Sequence, residues 1–118
     1  MRQKKRPNKI AWAPAAKEDV LNIWRHLAYV ASTEIADDVL QDIDSAVRRI
    51  LSEPRLRRLR MDILPDLRGG LRAVLVHPYT IFYRISYPGE HEEIDDIEII
   101  RVLHERRDFE TALLRGDS

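Results

Sequence analysis

After the arginine-rich stretch and Gly69 and Gly70 the hydrophobic period of the chain switches from that of helices to that of strands, and that switch limits the architectures open to it. Before the glycines, apolar residues recur every three or four positions; after them, every second position. Val20, Trp24, Leu27 and Ala31, with Leu21 and Ala28, form the apolar stripe of a helix over residues 14–30. Pro14 suits the first helical position, where its missing N–H costs nothing, and Glu18 and Asp19 suit the positive end of the helix dipole. Ile35, Val39, Ile43, Ala46, Val47 and Ile50 mark a second helix that Pro54 terminates. Glu34, Asp37 and Asp38 near its start and Arg48 and Arg49 near its end follow the same dipole rule. Only "AST" separates the two stripes, so the helices form an antiparallel hairpin.

The remainder reads as strands. A short one covers residues 9–13, and a meander is expected over 71–76, 79–86 and 94–103, with "HP" and "PGEHEE" as its turns. Alternation puts Tyr79, Ile81, Tyr83 and Ile85 on one face and Thr80, Phe82, Arg84 and Ser86 on the other. In the last strand it groups Arg101 with Ile99 and Leu103, and His104 with Ile100 and Val102. That strand is nearly all apolar from Ile97 onward and is expected to be central. A helix over 106–114 ends at Gly116. The order β-α-α-β-β-β-α is α+β: a compact single domain at 9–115, behind a basic tail at 1–8, with the helical hairpin packed on one face of a small antiparallel sheet.

With 118 residues, 44% hydrophobic and 34% charged, the chain has material for one core and not two. No apolar run approaches the roughly 20 residues of a membrane span. "MRQKKRPNK" has no apolar segment behind it, so the chain is expected in the cytoplasm, as the lack of cysteine also suggests. The net charge of zero is unevenly spread. Residues 2–9 hold Arg2, Lys4, Lys5, Arg6 and Lys9 and no acid; residues 55–72 hold six arginines against Asp62 and Asp66. Such stretches either bind an acidic partner or solvate a loop.

Little of the familiar enzyme chemistry is present. His26, His77, His91 and His104 are scattered without a metal-binding spacing, and no cofactor is expected. No glycine loop is placed to cradle phosphate and no serine occupies a nucleophile elbow, although spacing alone leaves a dispersed triad open. Arg101 inside an apolar strand must emerge at an edge or meet an acid, since a lone buried guanidinium is costly. Two arrangements satisfy this: convergence with Arg84 on a phosphate or a partner's carboxylate, or an internal pair, for example with Asp108, that pins the last helix. His104 is either an acid–base group or a structural hydrogen bonder. Tyr79 and Tyr83 either stack on a base or fill the core.

Several pieces then read together: Ala16, Asp19 and Ile23 in the first helix, Pro54, "LR" at 67–68 or 71–72, "YTIFYRI" at 79–85 and "IIRVLHERRD" at 99–108. In this order and spacing the chain resembles the RelE/ParE superfamily of type II toxin–antitoxin toxins, and most closely its ParE branch, over about residues 10–114. It departs from the ParE pattern at Glu105, where glycine is common, and at "RLRRLR". The resemblance implies the same compact α+β fold, a cognate antitoxin encoded adjacently, a toxin–antitoxin hetero-oligomer, and no membrane. The ParE branch is associated with poisoning DNA gyrase, whereas RelE-like members cleave mRNA on the ribosome without a metal. Were the chain such an RNase, Arg84, Arg101 and His104 would carry the catalysis. The stretch "ERRDFETALLRGDS" offers Phe109 but no tyrosine or histidine, which leaves that set short of an acid–base group. The reading is therefore a binding-type gyrase inhibitor without catalytic residues, with a ribosome-dependent RNase and an inactive regulatory member as alternatives. Arg57, Arg58, Arg60, Arg68, Arg72, Arg106 and Arg107 are the candidate partner- or target-binding residues.

Overall fold

The computed structural model describes residues 9–87 and 96–115; the basic tail, the "PGEHEE" loop and Gly116 lie outside them. The elements are β1 (Lys9–Trp12), α1 (Pro14–Val30), α2 (Thr33–Ser52), β2 (Arg72–Val76), β3 (Tyr79–Tyr87), β4 (Asp96–His104) and α3 (Phe109–Arg115). Both long helices have a local start signal. Pro14 opens α1, and the Ser32 hydroxyl caps α2 by accepting the Ile35 N–H at 3.1 Å. Across the hairpin the Trp24 indole donates to Asp37 at 2.8 Å.

The four strands form one sheet in the order β1-β4-β3-β2, which makes β4 central as expected. β2, β3 and β4 are antiparallel neighbours, but β1 runs parallel to β4 from Lys9↔Asp96 to Trp12↔Ile99. The sheet is thus mixed at one edge. The helical hairpin, the loop after it and the strands β2 and β3 separate these two strands in the chain, long enough for the crossover that parallel pairing needs.

Both faces of the sheet are covered. On one, Ala16 of α1 and Ile43, Ala46, Val47 and Ile50 of α2 pack on Val74, Ile81, Tyr83, Ile97, Ile99 and Val102. On the other, Phe82, Leu103 and Leu71 pack with Ala112 of α3 and with Ile63, Leu64 and Leu67 of the loop before β2. The apolar residues in the arginine-rich stretch are what fold it back onto the sheet, and Phe109 closes that side with its ring edge on Phe82.

The alternation along β3 is as the sequence dictates; along β4 it is not. Phe82 pairs with Arg101 while Tyr83 pairs with Ile99, so Ile100 is an extra residue in the ladder. This bulge inverts the phase midway. Ile97, Ile99 and Val102 all reach the hairpin core, whereas Ile100 and Leu103 serve the opposite one. Arg101 therefore lies opposite Phe82 and does not share a face with Ile99, and His104 does not share one with Ile100. The last helix is also shorter than expected. It starts at Phe109 because Asp108 takes the cap position, accepting the Thr111 N–H at 3.2 Å and its hydroxyl at 2.7 Å. Arg106 and Arg107 belong to the preceding turn.

Candidate partner-binding surface

The cations at the heart of the sheet are already engaged. Arg101, 4% exposed in its side chain, donates to Asp19 at 2.7 and 2.9 Å and to the Ala112 carbonyl at 3.1 Å. Asp19 also accepts the Val102 N–H at 2.9 Å. That amide faces the side on which β1 has ended at Trp12, so the carboxylate completes an edge that has lost its neighbour. Asp19 is thus placed for the sheet, on the second turn of α1, and not for the helix dipole. Arg84 donates to Glu98 at 2.8 Å and to the Arg68 carbonyl at 3.3 Å. The two arginines reach separate acids and do not converge on one anion site.

His104 makes a structural contact. Its Nδ1 accepts the Arg106 N–H at 3.1 Å, and its ring meets Tyr79 edge-on at 5.6 Å. Tyr79 and Tyr83 are core residues. The Tyr83 hydroxyl donates to the Pro54 carbonyl at 2.7 Å, and burial pushes its phenol up against the opposing influence of Arg72 and Arg57.

Of the remaining candidates, Arg57, Arg58, Arg60 and Arg68 lie on the loop between α2 and β2, and Arg72 opens β2. Arg60 forks onto Asp62 at 3.0 and 2.9 Å, and that hydrogen bond holds the Asp62 carboxyl below the usual carboxylate range. Arg72 donates to the Arg57 carbonyl at 2.8 Å, and the Arg60 N–H donates to Leu71, so the loop forms a short bridge to the outer edge of β2. Gly69 and Gly70, with φ of +85° and +74°, make the turn into β2. Leu59 lies against Gly70, in the space a side chain would need. Arg57, Arg58 and Arg68 are exposed. Between them stand exposed Leu56, Leu59 and Met61, with exposed Leu75 on β2 itself. Arg49, Glu53, Leu56, Arg57, Val74 and Tyr83 line a hollow of about 100 Å³ beneath the loop, well under the roughly 300 Å³ at which ligand pockets begin. Arg106 is exposed and Arg107 half-buried, apart from this loop in the turn before α3. The loop is cationic and apolar-studded and lies beside an edge strand, the physical features by which a protein surface can receive a macromolecule.

Sequence reasoning missed the apolar half of that surface. Leucines at 56 and 59 and a methionine at 61 obey no helix or strand period, and only their place inside "RLRRLRM" could have marked them. It also missed Glu98, whose role depends on its register opposite Arg84. Among the described residues no three His, Asp or Glu side chains gather as a metal site, and no helix is long and apolar enough to cross a membrane.

Known proteins share this architecture. A chain of the chromosomal ParDE TA system from P. aeruginosa superposes with a TM-score of 0.61 at 20% identity, over 82% of this chain and 95% of that one. Toxin ParE1 of Mycobacterium tuberculosis is 29% identical, over 86% of this chain and 93% of its own length. Toxin ParE3 of Caulobacter vibrioides is 32% identical, over 80% and 84%. The profile of the family described as ParE toxin of type II toxin-antitoxin system, parDE, matches residues 10–109. With its sequence matched almost end to end and its fold shared, the chain belongs to the ParE toxin family.

Proposed function

We propose that this ParE toxin inhibits DNA gyrase by binding it, without chemistry of its own, in the cytoplasm. We infer also that an adjacently encoded antitoxin neutralises it in a toxin–antitoxin hetero-oligomer. The observation that carries the binding reading is the engagement of Arg84 with Glu98 and of Arg101 with Asp19. RNA cleavage needs cations turned toward a scissile phosphate, and these two are spent on holding the fold together. His104 likewise uses Nδ1 on the Arg106 amide. For the antitoxin, the loop from Leu56 to Met61 and the neighbouring edge strand β2 supply the features that an acidic segment with apolar anchors requires.

The test pairs two assays on the purified protein. Gyrase supercoiling should be inhibited, and mRNA on programmed ribosomes should stay intact. Codon-positioned cleavage that disappears in Arg84→Ala would transfer the protein to the RNase branch. Normal bacterial growth while the soluble, folded chain is expressed would remove the toxin activity altogether.

A further inference from the structure

The helical hairpin has a distal end that the fold leaves uncovered. Tyr29 is 89% exposed, Val30 57% and Ile35 47%, on either side of the Ala31–Ser32 corner. This corner is not frayed. Ala31 donates to the Leu27 carbonyl at 2.9 Å, Ser32 caps α2, and the Trp24–Asp37 bond ties the helices together one turn further in. Three large apolar side chains are therefore held outward on a rigid frame, at a cost in exposed surface that nothing within the fold explains.

Charge says what could cover them. From Leu27 to Val47 there is no lysine, arginine or histidine, while Glu34, Asp37, Asp38, Asp42 and Asp44 all fall there. Asp37 is bound to Trp24 and Asp44 to Arg48, whereas Glu34, Asp38 and Asp42 follow one another at four-residue steps on the exposed side of α2 and repel. α2 spans 20 residues, so this acidic apolar tip lies roughly 30 Å from the basic apolar loop after its other end. Two surfaces of opposite sign at opposite ends call for different partners. An acidic antitoxin segment and nucleic acid would both be repelled by the tip; a cationic protein surface would be drawn to it.

We propose that the tip formed by Tyr29, Val30 and Ile35, with Asp38 and Asp42, is the surface by which the toxin engages its target, docking on a cationic DNA-handling surface of gyrase. The proposal rests on gyrase being the target. An enzyme that grips duplex DNA must present lysines and arginines to its phosphates, and the tip offers carboxylates for such a surface around an apolar centre.

Binding to the gyrase holoenzyme, followed by biolayer interferometry, tests this with three double variants. Tyr29→Ser/Ile35→Ser removes the apolar centre and Asp38→Lys/Asp42→Lys reverses the charge; Lys17→Ala/Glu18→Ala alters exposed positions near the start of α1, at the other end of that helix from the tip. Each tip variant should bind at least tenfold more weakly, the charge reversal chiefly through a slower on-rate, while the Lys17/Glu18 variant stays within twofold of wild type. Thermal melts establish that each is folded, and Asp38→Asn/Asp42→Asn replaces a charge reversal that is not. Wild-type affinity in both tip variants, or an equal loss in the Lys17/Glu18 variant, overturns the assignment of the tip. Failure of the wild-type chain to bind gyrase overturns the target itself and the docking with it.

Discussion

The Asp19 carboxylate accepts two hydrogen bonds from Arg101 and one from the Val102 amide, joining α1 to the centre of β4 across more than eighty residues of sequence. With both side chains nearly buried, removal of one partner leaves an uncompensated charge in the interior. Asp19→Ala or Arg101→Ala should each cost about 3–5 kcal/mol. The double replacement Asp19→Leu/Arg101→Met should recover a good part of this, since an apolar pair of similar volume avoids desolvating two ions. Denaturant midpoints for the four proteins measure it. Additive losses in the double variant would mean that each residue acts through other contacts.

Gly70 should not accept a side chain. Its φ of +74° costs an L-residue about 1–2 kcal/mol, and a methyl group would also displace Leu59. Gly70→Ala should therefore lower the melting temperature by several degrees and expose the loop to limited proteolysis ahead of global unfolding. A melt unchanged within a degree would show that the turn can relax.

Alkali should unfold the chain through Tyr83. Its folded pKa stands above the ordinary value near 10, because burial disfavours the phenolate. The stability this contributes is complete below the unfolded pKa and is lost as pH rises through the folded one. Tyr79 is raised for the same reason. Tyrosinate absorbance should hence appear together with loss of ellipticity. Tyr83→Phe, which has no proton to lose, should shift that transition to higher pH while costing about 1 kcal/mol at neutrality for the lost bond to Pro54.

The arginine loop should act on encounter more than on stability. Arg57→Glu/Arg58→Glu/Arg60→Glu should slow antitoxin association about tenfold at low salt and flatten its salt dependence. Arg106→Ala, at an exposed turn, should melt within about 0.5 kcal/mol of wild type and yet bind antitoxin more weakly. Unchanged on-rates would reduce the loop to a solvated surface.

The helices were legible because their apolar stripes repeat at three and four residues and Pro14 marks the start of the first; the Ser32 cap of the second lies outside any apolar period and comes from the structure. The faces of β3 were legible for the same local reason, an unbroken alternation from Tyr79. β4 resisted because a bulge is invisible in its own strand; Ile100 looks like any other apolar residue until the register with β3 is known. The need of Arg101 for an acid followed from its surroundings in the sequence. Which acid it bonds depended on where β1 stops and α1 turns over the sheet, and that is tertiary information. Arg106 looked like part of the last helix because Asp108 was not recognised as its cap.

One guanidinium holds an acid from the first helix with two of its nitrogens and the Ala112 carbonyl of the last helix with the third. The ends of the chain are thereby made cooperative. Fraying of α3 cannot remain a private event of the C-terminus, because it withdraws a ligand from the cation that also anchors α1. Amide protection in the first turns of α1 and in α3 should accordingly be lost in the same opening, as a single unit built from the beginning and the end of the sequence.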